Sequence, residues 1–100
     1  MVFITTPDTE EAGKITGILL DKRLAACVNT VPEVNSLFRW QGKIQAERES
    51  LLIVKSKASL LSDIIETVRQ NHPYEVPEII ALPVIGGSTD YLDWLEKEVS

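Results

Sequence analysis

Two prolines four residues apart, Pro73 and Pro77, sit inside the run His72-Pro73-Tyr74-Glu75-Val76-Pro77-Glu78-Ile79. No regular helix or central strand runs through such a pair. Each ring fixes its own φ and pushes the residue before it, His72 or Val76, towards extended backbone. Neither proline donates a backbone hydrogen bond. The run therefore reads as a stiff extended connector, leaving a helix at His72 and entering an apolar strand at Ile79. Such a connector suits holding Tyr74 and Glu75 at a fixed site. It equally suits a plain helix stop.

Elements fall into place on either side of this connector. Val2 to Thr6 is β-branched and aromatic and ends at Pro7, which predicts a short first strand. Asp8 followed three residues later by Glu11 predicts a capping box, and Ala12, Ile15, Ile18 and Leu19 recur at helical spacing up to about Arg23. Gly13 and Gly17 each cost this helix about 1 kcal/mol against Ala. Their spacing predicts a helix face that approaches a sheet closely.

From Leu24 two strand halves follow, with Pro32 predicted at a bulge or bend. Gln41-Gly42-Lys43 is a turn, and the return strand climbs through Glu49 to Ser56 to make an unusually long hairpin arm. Ser59 is the expected N-cap of a second helix whose apolar face is Leu61, Ile64, Ile65 and Val68. Ile79 to Ile85 is the fourth strand, interrupted by Pro83 and so expected at an edge or bulge. Gly86-Gly87 turns the chain into a last helix, capped by Ser88 or Thr89, with Leu92, Leu95 and Val99 on one face.

The order β-α-β-β-α-β-α predicts an α+β fold, a ferredoxin-like βαββαβ sandwich with a long β2-β3 hairpin and an extra C-terminal helix. It forms a single domain over residues 1–100. Helices on one face leave the other face of the antiparallel sheet uncovered, and the arm is longer than a small sheet can pair. Both features predict self-association.

With 44% apolar and 25% charged residues, the composition is that of an ordinary soluble domain. Fifteen acids against ten bases give a net charge of -5, which argues against nucleic acid, since phosphate binding needs a concentrated basic face. No run is long enough to cross a bilayer and no basic, apolar leader opens the chain, so a cytoplasmic protein without a membrane partner is expected. The single Cys27 excludes an intramolecular disulfide and fits a reducing compartment.

Cys27 and His72 are the only soft or borderline metal ligands besides Met1. A closed structural zinc site takes about four ligands, so a metal here has to combine Cys27 or His72 with carboxylates such as Glu75 or Glu78, or draw on several copies of the chain. Cys favours Cu(I) and imidazole accepts Cu, Zn or Ni, which makes copper or another divalent cation the sensible cofactor. It is not expected to be needed for folding. The other reading of Cys27, between Ala26 and Val28, is a small buried hydrophobe.

No G-x-S-x-G elbow, P-loop or G-x-G-x-x-G occurs, no catalytic residue is assigned, and the chain is expected not to be an enzyme. Arg39, Lys43, Arg48, Lys55 and Lys57 lie along the hairpin. Arg39, Lys43 and Lys55, with Trp40, Tyr74 and Glu78, are the residues expected at a ligand cleft or subunit interface able to take a small anion or nucleotide. Solvated strand positions that discourage edge pairing explain the basic residues equally well. Trp40 and Trp94 read as packing anchors, since no aromatic array accompanies them.

Arg23-Leu24-Ala25-Ala26-Cys27-Val28-Asn29, Trp40-Gln41-Gly42-Lys43 and the run from His72 to Ile79 closely resemble the divalent-cation-tolerance (CutA) family. Thr5-Thr6-Pro7-Asp8 and Tyr91-Leu92-Asp93-Trp94-Leu95 match as well, so the resemblance covers essentially the whole chain. It implies a tight homotrimer with PII-like architecture, in which the hairpin is the intersubunit element. It also implies a non-enzymatic protein that binds copper or another divalent metal and responds to metal ions, with copper contacts expected at Cys27 and His72 and Glu75 as the accompanying carboxylate. Some members carry several cysteines linked to metal binding. This chain has Cys27 alone, which speaks against a multi-thiolate site. A PII-like trimer that senses a small ligand is the alternative function, and a mainly assembling trimer a third.

Overall fold

Along β1 (Val2–Thr6), Val2, Ile4 and Thr6 are buried on one covered face, Phe3 on the other face is half-buried, and Thr5 is buried as well at the strand's end. The computed structural model describes residues 1–100. After β1 come α1 (Thr9–Asp21), β2 (Cys27–Trp40), β3 (Lys43–Lys55), α2 (Leu61–Asn71), β4 (Ile79–Ala81) and α3 (Thr89–Glu98). The strands lie in the order β2-β3-β1-β4 with every neighbouring pair antiparallel, the ferredoxin-like arrangement.

The pairs Val2–Val54, Ile4–Leu52 and Thr6–Ser50 put one set of side chains on the covered face. Ala12, Ile15 and Leu19 of α1 and Ile64 and Val68 of α2 pack within the same buried cluster. Each fully buried Ile, Leu or Val contributes about 1.5–3 kcal/mol, so this two-layer core holds the domain together. Asp8 caps α1, its Oδ1 accepting from the Glu11 N–H at 2.9 Å, but the Glu11 carboxylate does not reach back, so half of the expected box forms. The helix ends at Asp21 with Arg23 in the left-handed region at φ 56°, and the Leu24 N–H closes on the Leu19 carbonyl at 2.9 Å. This is a Schellman-type stop with arginine where glycine is usual.

Pro32 sits where expected. Val31 faces Leu51 and Val34 faces Glu49, so Pro32 and Glu33 share the single partner Ser50 in a bulge. The Ser50 hydroxyl donates to the Pro32 carbonyl at 2.7 Å and so satisfies an acceptor that the broken ladder leaves open. At the far end Gln41 (φ 51°) and Gly42 (φ 78°) make a two-residue turn with both φ positive, the hairpin type that matches strand twist. β1 pairs only with residues 50–54 of β3, so the rest of the hairpin projects as a two-stranded arm and stretches the molecule to 45 × 25 × 22 Å. Only 19 of 100 residues are buried, because the arm has neither helix nor third strand over it, and Leu37 and Ile44 stand 74% and 68% exposed.

Three local expectations fail for identifiable reasons. A Cβ on Gly13 or Gly17 would meet nothing within 4 Å, so these glycines face open space and not a sheet. Ser59 does not cap α2, because a 3-10 turn over Ala58–Leu60 precedes the helix and Leu60 takes the cap position without a side-chain bond. β4 stops at Ala81 rather than Ile85. Leu82 and Met1 still exchange backbone bonds of 2.8 and 3.1 Å, and then Pro83 has no N–H to continue the ladder. Ser88 takes the N-cap of α3 as expected, though without a side-chain bond, and α3 itself buries none of its residues while Val99 just beyond it enters the core.

Candidate functional site

α2 ends at Asn71 because His72 precedes Pro73 and is held extended, at φ -92° and ψ 138°. That turn aims the imidazole inwards, where it is buried. The Tyr74 N–H can only donate, and it donates to His72 Nδ1 at 3.0 Å. The ring proton is therefore on Nε2, which donates to the Thr5 carbonyl at 2.7 Å. Thr5 lies one residue beyond Ile4–Ile79, the last β1–β4 pair. His72 thus supplies a donor where the ladder has run out, as a buried carbonyl requires.

Tyr74 completes a short hydrogen-bonded chain. Its ring lies 4.8 Å from that of His72, and its hydroxyl donates to Glu49 Oε2 at 3.1 Å. Glu49 is only 8% exposed and faces Val34 beside the bulge, at the root of the arm. The connector is pinned in this way to both β1 and β3. The phenol is pushed up to about 12 by burial, then by the Glu49 hydrogen bond and charge, then by Glu47 and Asp8. Burial, and then Glu49, also raise Glu78 above the usual carboxylate range. The arrangement is an electronegative corner around a phenol that keeps its proton and acts as a fixed donor.

The remaining expected residues lie elsewhere. Glu75 borders a shallow hollow of about 400 Å³ on α2 with Ser62, Glu66 and Arg69. Cys27 opens β2 opposite Lys55, beside Tyr91 of α3. The Tyr91 phenol is raised by slight burial and by the facing sulfur. From the Leu51 level, where Thr5 pairs, to the Lys55 level of Cys27 is four residues of β3, roughly 13 Å of strand rise. A single chain therefore does not bring Cys27, His72 and Glu75 together, and it holds no group of three or more His, Cys, Asp or Glu able to share a metal.

The basic residues also disperse. Arg39, Trp40 and Lys43 are at the arm's tip, where Trp40 faces Lys43, whereas Lys55 is at the other end of β3 with its Nζ bonded to Asn29 Oδ1. Arg48 pairs with Glu33 at 3.2 Å on the surface, and Lys57 with Glu96 at 3.4 Å. No one-chain cleft collects them. Tyr74 and Glu78 do converge, on Glu49, a residue that sequence reasoning did not select. Glu49 gave no local signal, because its partner is 25 residues away and the register is needed to see the pair.

Residues 1–98 match the family model described as CutA1 divalent ion tolerance protein. The chain is 47% identical over 97 residues to the chloroplastic protein CutA of Arabidopsis thaliana, covering 97% of this chain and 53% of that one. It therefore spans about half the length of that relative. The solved divalent cation tolerance protein CutA1 of Thermus thermophilus superposes with a TM-score of 0.97 at 45% identity, covering 99% of this chain and 96% of that one. For the CutA of Archaeoglobus fulgidus, described as periplasmic, the TM-score is 0.96 at 39% identity, with coverage of 99% and 96%. Chloroplastic and periplasmic relatives overturn the expectation of a cytoplasmic chain, since composition and a lone cysteine do not separate these compartments.

Proposed function

This chain belongs to the CutA1 divalent ion tolerance family, and from that premise we propose that it works as a homotrimer that binds copper or another divalent cation without catalysing a reaction. The observation that carries the reading is the family match over residues 1–98, whose members are named for tolerance of divalent cations and not for a reaction. The unpaired arm supports the assembly. Leu37, Trp40 and Ile44 stand in solvent there, and apolar surface of this kind is covered by a partner.

The cation is the protein's cargo, and its ligands come from more than one copy. The Cys27 thiolate is the soft donor and suits Cu(I), while the Glu75 carboxylate is the hard one. His72 joins only if a ring nitrogen gives up its bond to Tyr74 or Thr5, so its part is chiefly to set the connector on which Glu75 rides. Titration of the pure protein with Cu(I), Cu(II) and Zn(II) tests the assignment. Cys27→Ser is expected to weaken Cu(I) about tenfold or more, and Glu75→Gln to weaken the divalent ions. Variants that bind all three ions as the parent does would sink it.

A further inference from the structure

Trp40 and Trp94 are expected as packing anchors, yet within one chain neither enters the core, and they stand 47% and 42% exposed. Trp94 lies in α3, which buries none of its residues. Tyr91 is exposed beside it, with the two ring centroids 5.5 Å apart. Asp90, Trp94 and Glu98 follow at four-residue spacing, so they share one stripe of the helix. The helix as a whole carries the acids Asp90, Asp93, Glu96 and Glu98 against the single base Lys97.

At the tip of the arm the pattern recurs with the opposite charge. Leu37, Trp40 and Ile44 are exposed there, Arg39 faces Ile44 across the ribbon, and Lys43 faces Trp40. Residues 37–46 contain these two bases and no acid. The two ion pairs of the chain, Arg48–Glu33 and Lys57–Glu96, use none of Asp90, Glu98, Arg39 and Lys43. Two bare apolar patches are therefore bordered by unpaired charges, acidic on α3 and basic on the arm. Trp, Tyr and Arg are the side chains that most often dominate an interface, and opposite charges decide which patch meets which.

The two patches lie at opposite ends of the molecule. Arg23, ahead of β2, donates to the Lys97 and Glu98 carbonyls at 2.9 and 3.1 Å, and Lys57, beyond β3, pairs with Glu96. The tip lies at the β2–β3 turn instead. From Lys43 to Lys55 the strand β3 spans about 40 Å at about 3.3 Å per residue, nearly the 45 Å length of the molecule. An arm therefore does not reach the α3 of its own chain. Contact between the patches is head to tail between copies, the kind that closes into a ring.

We infer, given the homotrimer proposed above, that the Tyr91–Trp94 face of α3 is the seat for the arm tip of a neighbouring copy, with Asp90 and Glu98 meeting Arg39 and Lys43 of that copy. Each chain gives one arm and offers one seat. A second copy is the occupant because the complementary patch is built into the same chain.

The test is charge reversal, read by sedimentation across a dilution series in a urea concentration that half-dissociates the parent. Asp90→Lys/Glu98→Lys is expected to raise the dissociation concentration about tenfold or more, and Arg39→Glu/Lys43→Glu to do the same. All four substitutions in one chain restore opposite charges and are expected to recover most of that loss. In Trp40→Phe, Trp94 is the only indole, and assembly is expected to shield it from acrylamide several-fold relative to the denatured chain. A parent that stays monomeric removes the homotrimer and the seat with it. A trimer unmoved by reversal on α3, a fourfold variant no tighter than the α3 variant, or a trimer whose Trp94 is quenched like the denatured chain overturns the seat alone and leaves α3 to another occupant.

Discussion

Tyr74 donates its phenolic O–H to Glu49 Oε2 across 3.1 Å, joining the proline-bound connector to the root of the hairpin arm. Both groups come from segments that are otherwise only loosely held. The connector has no regular structure, and the arm leaves the sheet just beyond Glu49. This bond and the His72–Thr5 bond set the connector's position against the sheet.

Removing the donor exposes the cost of a buried acid. Tyr74→Phe is expected to lower unfolding free energy by about 1–3 kcal/mol, because the Glu49 oxygen loses its partner without gaining water. Urea unfolding measures it. A Tyr74→Phe/Glu49→Gln double variant that loses less than the two singles combined marks a direct coupling.

The same pair predicts an alkaline weakness. Tyr74 keeps its proton in the folded state to about 12, against 10.0 unperturbed, so the unfolded chain releases that proton first. Stability from this group is complete below about pH 10 and is lost as the pH climbs from about 10 to 12. Phenolate absorbance should show a late tyrosine step that disappears in Tyr74→Phe and moves to lower pH in Glu49→Gln.

His72 is expected to matter to folding before it matters to metal. His72→Ala deletes an acceptor for the Tyr74 N–H and a donor to Thr5 and leaves a buried gap, at a cost of about 2–4 kcal/mol. Nitrogen NMR of the parent should find the proton on Nε2. An Nδ1-protonated ring would contradict the assigned hydrogen bonds.

At the arm's tip, Gln41 holds a positive φ that glycine and asparagine tolerate better. Gln41→Asn is expected to raise stability by about 0.5 kcal/mol, seen as a higher urea midpoint with an unchanged slope. A lower midpoint would mean that the Gln41 side chain has a role beyond the turn.

Much of the frame was legible in the sequence because single residues forced it. Pro32 required a bulge or bend, Gln41-Gly42-Lys43 a turn, and Pro73 held His72 extended so that α2 ended at Asn71. Where two local signals competed, the reading was less secure. Ser59 looked like a cap, but the chain took a 3-10 turn first, and Pro83 stopped β4 sooner than its apolar run suggested. Glu49 and Thr5 were invisible as partners of Tyr74 and His72, since their closeness follows from strand register and not from spacing along the chain. Cys27 and His72 were recognisable as ligand types, while their separation emerged only once both were set against β3.

The proposed metal ligands, Cys27 and Glu75, would meet only between copies, so assembly and metal uptake are tested together. Native mass spectrometry of the purified protein, with and without added Cu(I), reads mass and metal together. A species of three 11.2 kDa chains that takes up copper in the parent and not in Cys27→Ser is expected. A stable monomer at micromolar concentration, or a trimer whose copper uptake ignores that substitution, would contradict it.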